Sequence, residues 1–417
     1  MKRIVILFLI FIAVPLVSAP DGQQLTYETK AVNIEVPVRV FKGEAFVENL
    51  TIDDFEVFED GKPQRIEAVY LIKKTSIERR QENKKFSPET ERYFYLFFEM
   101  ADYDAKIRDA LGYFVRNVLL PGDNLAFITP LKTYRMKTES FSVIPREKIL
   151  DQLLEILRRD VLIGNAEYRD ALEDLVGTAK VIGSAISSFN PDSPNPAGRL
   201  DPFSTSSGVV EGPSLDEQLT RYSNLLEKLQ NLRSVEQDKL LSFATYLKEQ
   251  EGQKAVFLFY QREFIPKVDP KILSTYASLY QDRPNVIQAV SDLFDLYQRD
   301  SPLNVDFVKQ AYSDASTAIH FLFISTPRQQ IPGILMDEKS EDIYAPFMEM
   351  ARATGGFAET SANPLSLMRK AVEASENYYL LYYSPQGYKT DGKFRTIQVK
   401  VKSGEYRVSH RAGYIAD

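Results

Sequence analysis

The sequence predicts an α/β protein in which a doubly wound, mostly parallel sheet stands between two β segments that join as one β-sandwich. Three observations predict it. Tyr93-Phe94-Tyr95-Leu96-Phe97-Phe98 is an unbroken apolar run with no polar alternation, the pattern of a strand buried on both faces. Buried strand-like runs then alternate with helical patterns down the middle of the chain, as a doubly wound sheet requires. Both ends of the mature chain are instead β-like with turn signals, the first with a period of two.

Composition bounds the function. A chain of 417 residues with 44% hydrophobic and 26% charged residues is globular and long enough for more than one core. Its net charge of −7 gives no reason to expect nucleic-acid binding. With no cysteine there is no disulfide, thiolate nucleophile or Cys-based metal site. Only His320 and His410 exist, so a histidine-rich metal centre is excluded by inventory.

In chain order, residues 1–19 form an export signal: Lys2 and Arg3, an apolar run from Ile4 to Val17, then Ser18 and Ala19. The run is short for a bilayer span, and Pro15 interrupts it, so no transmembrane span is expected in the mature chain. Residues 26–74 form the first β segment: Val32, Ile34, Val36, Val38 and Val40 alternate with polar or smaller residues. Pro37 suggests an edge position, and Asp60-Gly61 a tight hairpin turn. Residues 75–92 are a charged stretch expected to be a solvated connector.

The α/β region spans residues 93–377. After the first strand comes an acidic loop, Glu99 to Asp104, then a helix with Ile107, Ala110, Leu111, Phe114, Val115 and Val118 on one stripe. Strands follow at Leu125–Ile128 and Thr133–Phe141. Helices begin near Pro145 and Gly164, and one long helix runs from Ser214 to about Gln250. Residues 187–213, rich in Ser, Pro, Gly and Asn, are predicted to be a mobile loop. Strands at Lys254–Tyr260 and Ala318–Ile324 alternate with helices ending at Leu365–Ala374. Residues 378–417 return to β character, with turns at Gly387, Asp391-Gly392 and Ser403-Gly404.

Three motifs carry a family resemblance. They are Leu50-Thr51-Ile52-Asp53-Asp54-Phe55-Glu56-Val57-Phe58-Glu59-Asp60-Gly61-Lys62-Pro63-Gln64, Thr354-Gly355-Gly356 with Asn377-Tyr378-Tyr379-Leu380-Leu381-Tyr382-Tyr383-Ser384-Pro385, and Gly392-Lys393-Phe394-Arg395 with Arg411-Ala412-Gly413-Tyr414. In these the chain resembles bacterial von Willebrand factor A-related exported proteins of the acidobacterial type. The resemblance implies a von Willebrand factor A-like domain, a periplasmic or extracellular location, and a protein-binding role. It also implies where a metal-ion-dependent adhesion site would lie: an Asp-x-Ser-x-Ser loop after the first strand, with Thr and Asp from two later loops holding Mg²⁺.

Here that pattern is degenerate. The first loop aligns as Glu99, Ala101 and Tyr103, Asn165 and Ala166 stand near the expected Thr, and Tyr260-Gln261-Arg262 replaces the Thr-Asp-Gly. Hydroxyl and carboxylate ligands suited to an octahedral hard cation are missing, so no standard metal site and no cofactor are expected. Arg262 offers a positive charge where the cation would sit. A second reading assembles a non-standard Mg or Ca site from Glu99, Asp102, Asp104 and Asp170, making a cation-dependent adhesion module; the plainer reading of these acids is helix capping. Partner-binding candidates on the same loops are Asp102, Tyr103, Asn165, Glu167, Gln261 and Arg262. No nucleophile–base arrangement or phosphate-binding loop appears, so no enzyme is predicted. The leading expectation is a non-catalytic exported binding or scaffold protein.

Overall fold

A computed structural model of the protein describes residues 32–136, 139–187, 215–279, 281–297, 303–328, 330, 334–338, 341–402 and 404–417. The export signal, and the predicted loop at 187–213 beyond Ser187, lie outside the described residues.

The first segment contains β1 (Ile34–Lys42), β2 (Ala45–Phe46), β3 (Phe55–Glu59), β4 (Lys62–Gln64), β5 (Ile66–Lys73) and β6 (Ser76–Glu82). Next come β7 (Arg92–Glu99), α1 (Ile107–Tyr113), β8 (Asn124–Ile128), β9 (Thr133–Met136), α2 (Ser140–Val143), α3 (Arg146–Gly164) and α4 (Ala166–Ser187). They are followed by α5 (Leu215–Leu232), α6 (Gln237–Lys248), β10 (Gln253–Gln261), β11 (Phe264–Val268), α7 (Pro270–Leu279) and α8 (Pro284–Tyr297). Then α9 (Val305–Asp314), β12 (Thr317–Ile324), β13 (Ile334–Glu338), α10 (Glu341–Ala353), β14 (Ala358–Ser361) and α11 (Pro364–Glu373) complete the α/β region. The tail adds β15 (Asn377–Tyr383), β16 (Phe394–Val401), β17 (Arg407–His410) and β18 (Gly413–Ile415).

The central sheet has the order β14-β12-β10-β7-β8-β9. All neighbours are parallel except the β8–β9 pair. β7 therefore has a partner on each side, as its unbroken apolar run requires. One face packs Phe94, Leu96, Phe98, Phe257 and Phe259 against α1, α3 and α11. The other packs Tyr95, Val256, Leu258 and Phe321 against α6, α9 and α10. Phe98 and Phe259 stack with centroids 5.2 Å apart, and each such buried ring contributes about 1.5–3 kcal/mol. The α1 stripe continues through a π turn at Phe114–Val118, closed by the Leu119 amide donating to the Phe114 carbonyl at 3.1 Å.

The end segments share two antiparallel sheets. One runs β17-β1-β15-β5-β6, with β2 beside β1, and the other β18-β16-β3-β4. The tail strand β15 thus lies between β1 and β5, and β16 pairs with β3. Tyr379 ties the sheets together: its hydroxyl donates to Val47 O at 2.9 Å and accepts from Leu50 N at 3.1 Å, and its ring packs on Phe55. Asp60 and Gly61, at φ 46° and 76°, form the two-residue turn between β3 and β4. Residues Asn33–Asp417 pack as one unit. Among the described residues no helix is long and apolar enough to cross a membrane.

Several expectations need correction. The stretch 75–92 is not only a connector, because β6 adds an edge strand to β5; its charges suit an edge that must not recruit another strand. β1 is an inner strand only in part: β15 pairs with Ile34–Val38 and β17 with Val38–Phe41, so Pro37 has a strand partner on one side alone. The strand expected at Thr133–Phe141 stops at Met136. The long helix to Gln250 breaks at Arg233–Glu236 with neither Gly nor Pro. The structure adds strands β11, β13 and β14 to those the sequence predicts. β11 pairs with β13, and together with α4, α5, α7 and α8 they enclose a separate apolar core that reaches Ala101 in the loop after β7.

Candidate functional site

Numbered along the chain, the six strands of the central sheet lie in the spatial order 3-2-1-4-5-6. Such a sheet opens a crevice where the winding reverses, at the carboxyl ends of its first and fourth strands. Here these are β7 and β10, which end at Glu99 and Gln261.

A charge cluster occupies that point. The break between α5 and α6 turns Arg233 inward, where its guanidinium lies 2.6 Å from the Glu263 carboxylate and 3.8 Å from that of Glu99. The closer contact is a charge contact rather than an aligned hydrogen bond, since the Glu263 oxygen involved has no hydrogen-bond partner. Arg233 also lies over the Tyr168 ring at 4.4 Å, and the Tyr168 hydroxyl donates to Glu263 at 3.0 Å. Burial raises the Glu263 pKa, although Arg233 and Tyr168 pull it down. Burial works against the Arg233 cation, yet Glu263, Tyr168, Tyr260 and Glu99 together hold it above its ordinary value. Glu99 keeps 42% of its side-chain surface open to water. It stands inside a concavity with protein around it, which raises its pKa, with Arg233 opposing.

Of the sequence-derived candidates only Glu99 belongs to this cluster; the others are distributed around it. Asn165 is buried and its amide donates to Met100 O at 2.8 Å, holding the loop after β7. Gln261 is buried and accepts from the Asp102 amide at 3.0 Å. Arg262 does not supply the central positive charge: it pairs with Glu338 of β13 at 2.9 Å. These three positions are therefore internal braces, because the cap formed by α4, α5, α7, α8, β11 and β13 covers what the sequence left as open loops. Tyr103 is half-buried against the α1 side of the sheet. Asp102 is exposed, and Glu167 is exposed and paired with Lys228 at 3.0 Å. Asp104 accepts from Lys106 N at 2.9 Å in the turn before α1, whose own first turn has no side-chain cap. Among the described residues no three His, Asp or Glu side chains stand together as a metal site, so Glu99, Asp102, Asp104 and Asp170 are not gathered into one.

Arg233 was missed, and a signal for it exists. Leu219, Tyr222, Leu226 and Leu229 step at helical spacing, and Arg233 occupies the next position of that apolar stripe. A charge on a buried stripe needs a buried partner.

The cluster opens into an apolar cleft of about 530 Å³ on the α6 face of the central sheet. Tyr95, Phe97, Val256 and Leu258 form its floor, Phe243 and Phe347 its walls, and Glu99, Arg233 and Arg135 its polar rim.

Neither histidine joins this site. His320 lies in β12, stacked on Phe257 at 4.8 Å, with Nδ1 accepting from Phe357 N at 3.2 Å. Burial first, and the Arg39 charge second, push its pKa down to about 3. In the unfolded chain the imidazole titrates near about 6.5. Between those values the unfolded state binds a proton that the folded state refuses. Stability is therefore intact at neutral pH and falls as pH drops below about 6.5, at up to ~1.4 kcal/mol per pH unit. His320→Gln should make unfolding free energy less steep in pH over the acid range by about that slope; equal slopes for the two proteins would refute this.

A scan against protein-family models, a search of curated proteins and a search of solved structures each find no match to this chain.

Proposed function

We propose that the chain is a non-catalytic, exported protein-binding or scaffold protein, periplasmic or extracellular, whose central sheet belongs to a von Willebrand factor A-like domain with Arg233 as its resident cation. The sheet order, the antiparallel edge strand β9 and the helices on both faces support the domain reading. The observation that carries the binding role is the junction of the charge cluster with the apolar cleft, which share Glu99 and Arg233. Interfaces concentrate their energy where an apolar or aromatic anchor fills a pocket inside a polar rim.

The test places a photo-crosslinking side chain at Lys239, on the cleft rim, in whole cells. One protein of defined mass should be captured, and Phe243→Lys or Arg233→Ala should abolish capture while leaving the circular dichroism unchanged. Capture that persists in both variants, or no capture, refutes the reading. In parallel, millimolar Mg²⁺ or Ca²⁺ should leave the melting temperature unchanged, because Arg233 already neutralises the carboxylates. A ligand at ~100 times its dissociation constant adds about 2.7 kcal/mol, so a rise abolished by Glu99→Ala would establish the cation-dependent adhesion reading instead.

A further inference from the structure

At the opposite end of the central sheet, the amino ends of β7, β10 and β12 face β1 and β15 of the sandwich. A cavity of about 420 Å³ lies between them. Arg39, Arg92, Lys254 and Arg411 all line it, and all four are buried. Arg92 is matched by Asp123. The other three form no ion pair among the described residues.

The Arg39 side chain, in a residue only 7% exposed, makes no hydrogen bond to any described residue; its guanidinium faces the Tyr378 ring at 5.6 Å, and its buried Nε has no partner. Arg411, 8% exposed, gives Nη2 to Glu35 O at 2.6 Å and Nη1 to the Asp314 and Ser313 carbonyls at 3.4 and 3.5 Å, so that only its Nε is unpartnered. Lys254 donates only to backbone carbonyls, Leu247 O at 2.9 Å and Gln250 O at 2.7 Å. Burial first, then Arg411, push the Lys254 pKa down to about 8. Near Arg39, His320 uses Nδ1 as an acceptor, so its Nε2 carries a hydrogen, and that buried atom too is unpartnered.

Acidic residues at the cavity form no ion pair with these three cations among the described residues, although Asp314 and Glu35 favour the Arg411 charge, and Glu35 that of Lys254, from a distance. Glu35 is exposed and accepts from the Tyr382 hydroxyl at 3.0 Å, Glu376 pairs with Lys74 at 3.4 Å, and Glu89 and Glu251 are exposed. A buried lysine can shed its proton, but an arginine cannot, so a buried guanidinium without a counter-charge is held at a large desolvation cost. Two buried guanidiniums on one cavity, neither in an ion pair and each with an orphaned Nε, define an anion-binding arrangement.

We propose that this cavity binds a small oxyanion dianion of the phosphate type, either inorganic phosphate or the phosphate of a phosphomonoester, between Arg39 and Arg411. Two fixed positive charges, with Lys254 as a third, match a dianion better than a single carboxylate. The volume lies in the range that small organic ligands occupy. Because Arg39 belongs to β1 and Lys254 to β10, the anion would bridge the sandwich and the central sheet. This inference stands apart from the protein-binding reading, which concerns the other end of the sheet.

The test is calorimetry and thermal melting of the full chain in phosphate-free buffer, titrated with inorganic phosphate, with a sugar phosphate, and with sodium chloride at matched ionic strength. Saturable binding of one phosphate-type anion per chain is expected, with a melting rise that chloride does not reproduce. A stronger response to the sugar phosphate identifies an organic ligand, and a stronger response to phosphate the free ion. Arg39→Met and Arg411→Met should each weaken binding by about tenfold or more. Arg39→Met should also melt no lower than the parent in phosphate-free buffer, because it removes an unanswered buried charge. No saturable heat with either anion, an equal rise with chloride, or an unchanged response in a folded Arg39→Met protein overturns the proposal. If both variants fail to fold, the parent titrations alone decide.

Discussion

A chain ending at Asn377 is expected to lose the N-terminal strands together with the tail. The truncation removes nearly all of β15, the strand that β1 and β5 both pair with. It also removes β16, the partner of β3, and β17, the second partner of β1. What would remain is β1 with the two-residue β2 and two isolated hairpins, β3–β4 and β5–β6, and isolated hairpins are marginal in water. Loss of Tyr379 takes away the hydroxyl that bonds Val47 and Leu50 and the ring that fills the space between the sheets. Amide exchange should report the effect: residues 34–73 should lose all slow exchange, while the aromatic core of the central sheet keeps some. Persisting protection across β1 and β5 in the truncated chain would show that these strands do not depend on β15.

Asp123→Ala should be the most damaging single substitution in the central sheet, by about 3–5 kcal/mol. Arg92 opens β7 and is almost wholly enclosed. Its Nε and Nη2 donate to the two Asp123 oxygens at 2.9 and 2.6 Å, and Nη2 also reaches Val118 O at 2.9 Å. Asp123 further accepts from Leu120 N at 2.6 Å, fixing the turn that starts β8. Removing the carboxylate leaves a guanidinium that cannot deprotonate, facing a cavity already holding Arg39 and Arg411. The double variant Arg92→Met/Asp123→Leu should recover most of the loss, because it removes both charges and keeps the volume. Denaturant midpoints measure both. A single variant within ~1 kcal/mol of the parent, or a double variant no better than the single, would mean that the buried charge is not the source of the cost.

The sequence by itself determined those features whose cause is local. Six apolar residues from Tyr93 to Phe98 suit only a strand covered on both faces, and Asp60-Gly61 suits only a turn with two positive φ values. The apolar stripe of α1 and the period of two from Val32 to Val40 placed their elements within a residue or two. Strand β6 escaped because an edge strand with solvated faces carries charges like any linker. The cap around α4, α5, α7 and α8 escaped because its core depends on pairing β11 with β13 across about seventy residues, and no local pattern encodes that. Only the tertiary structure decided which charges meet. It broke the helix at Arg233 and set that guanidinium, rather than Arg262, between Glu99 and Glu263. It also turned the outward face of β1 onto the base of the central sheet. Arg39 alternates with Val38 and Val40 as a solvent-facing residue would. It is buried because alternation assigns a side chain to one face of its sheet, while only the packing of sheets decides whether that face meets water.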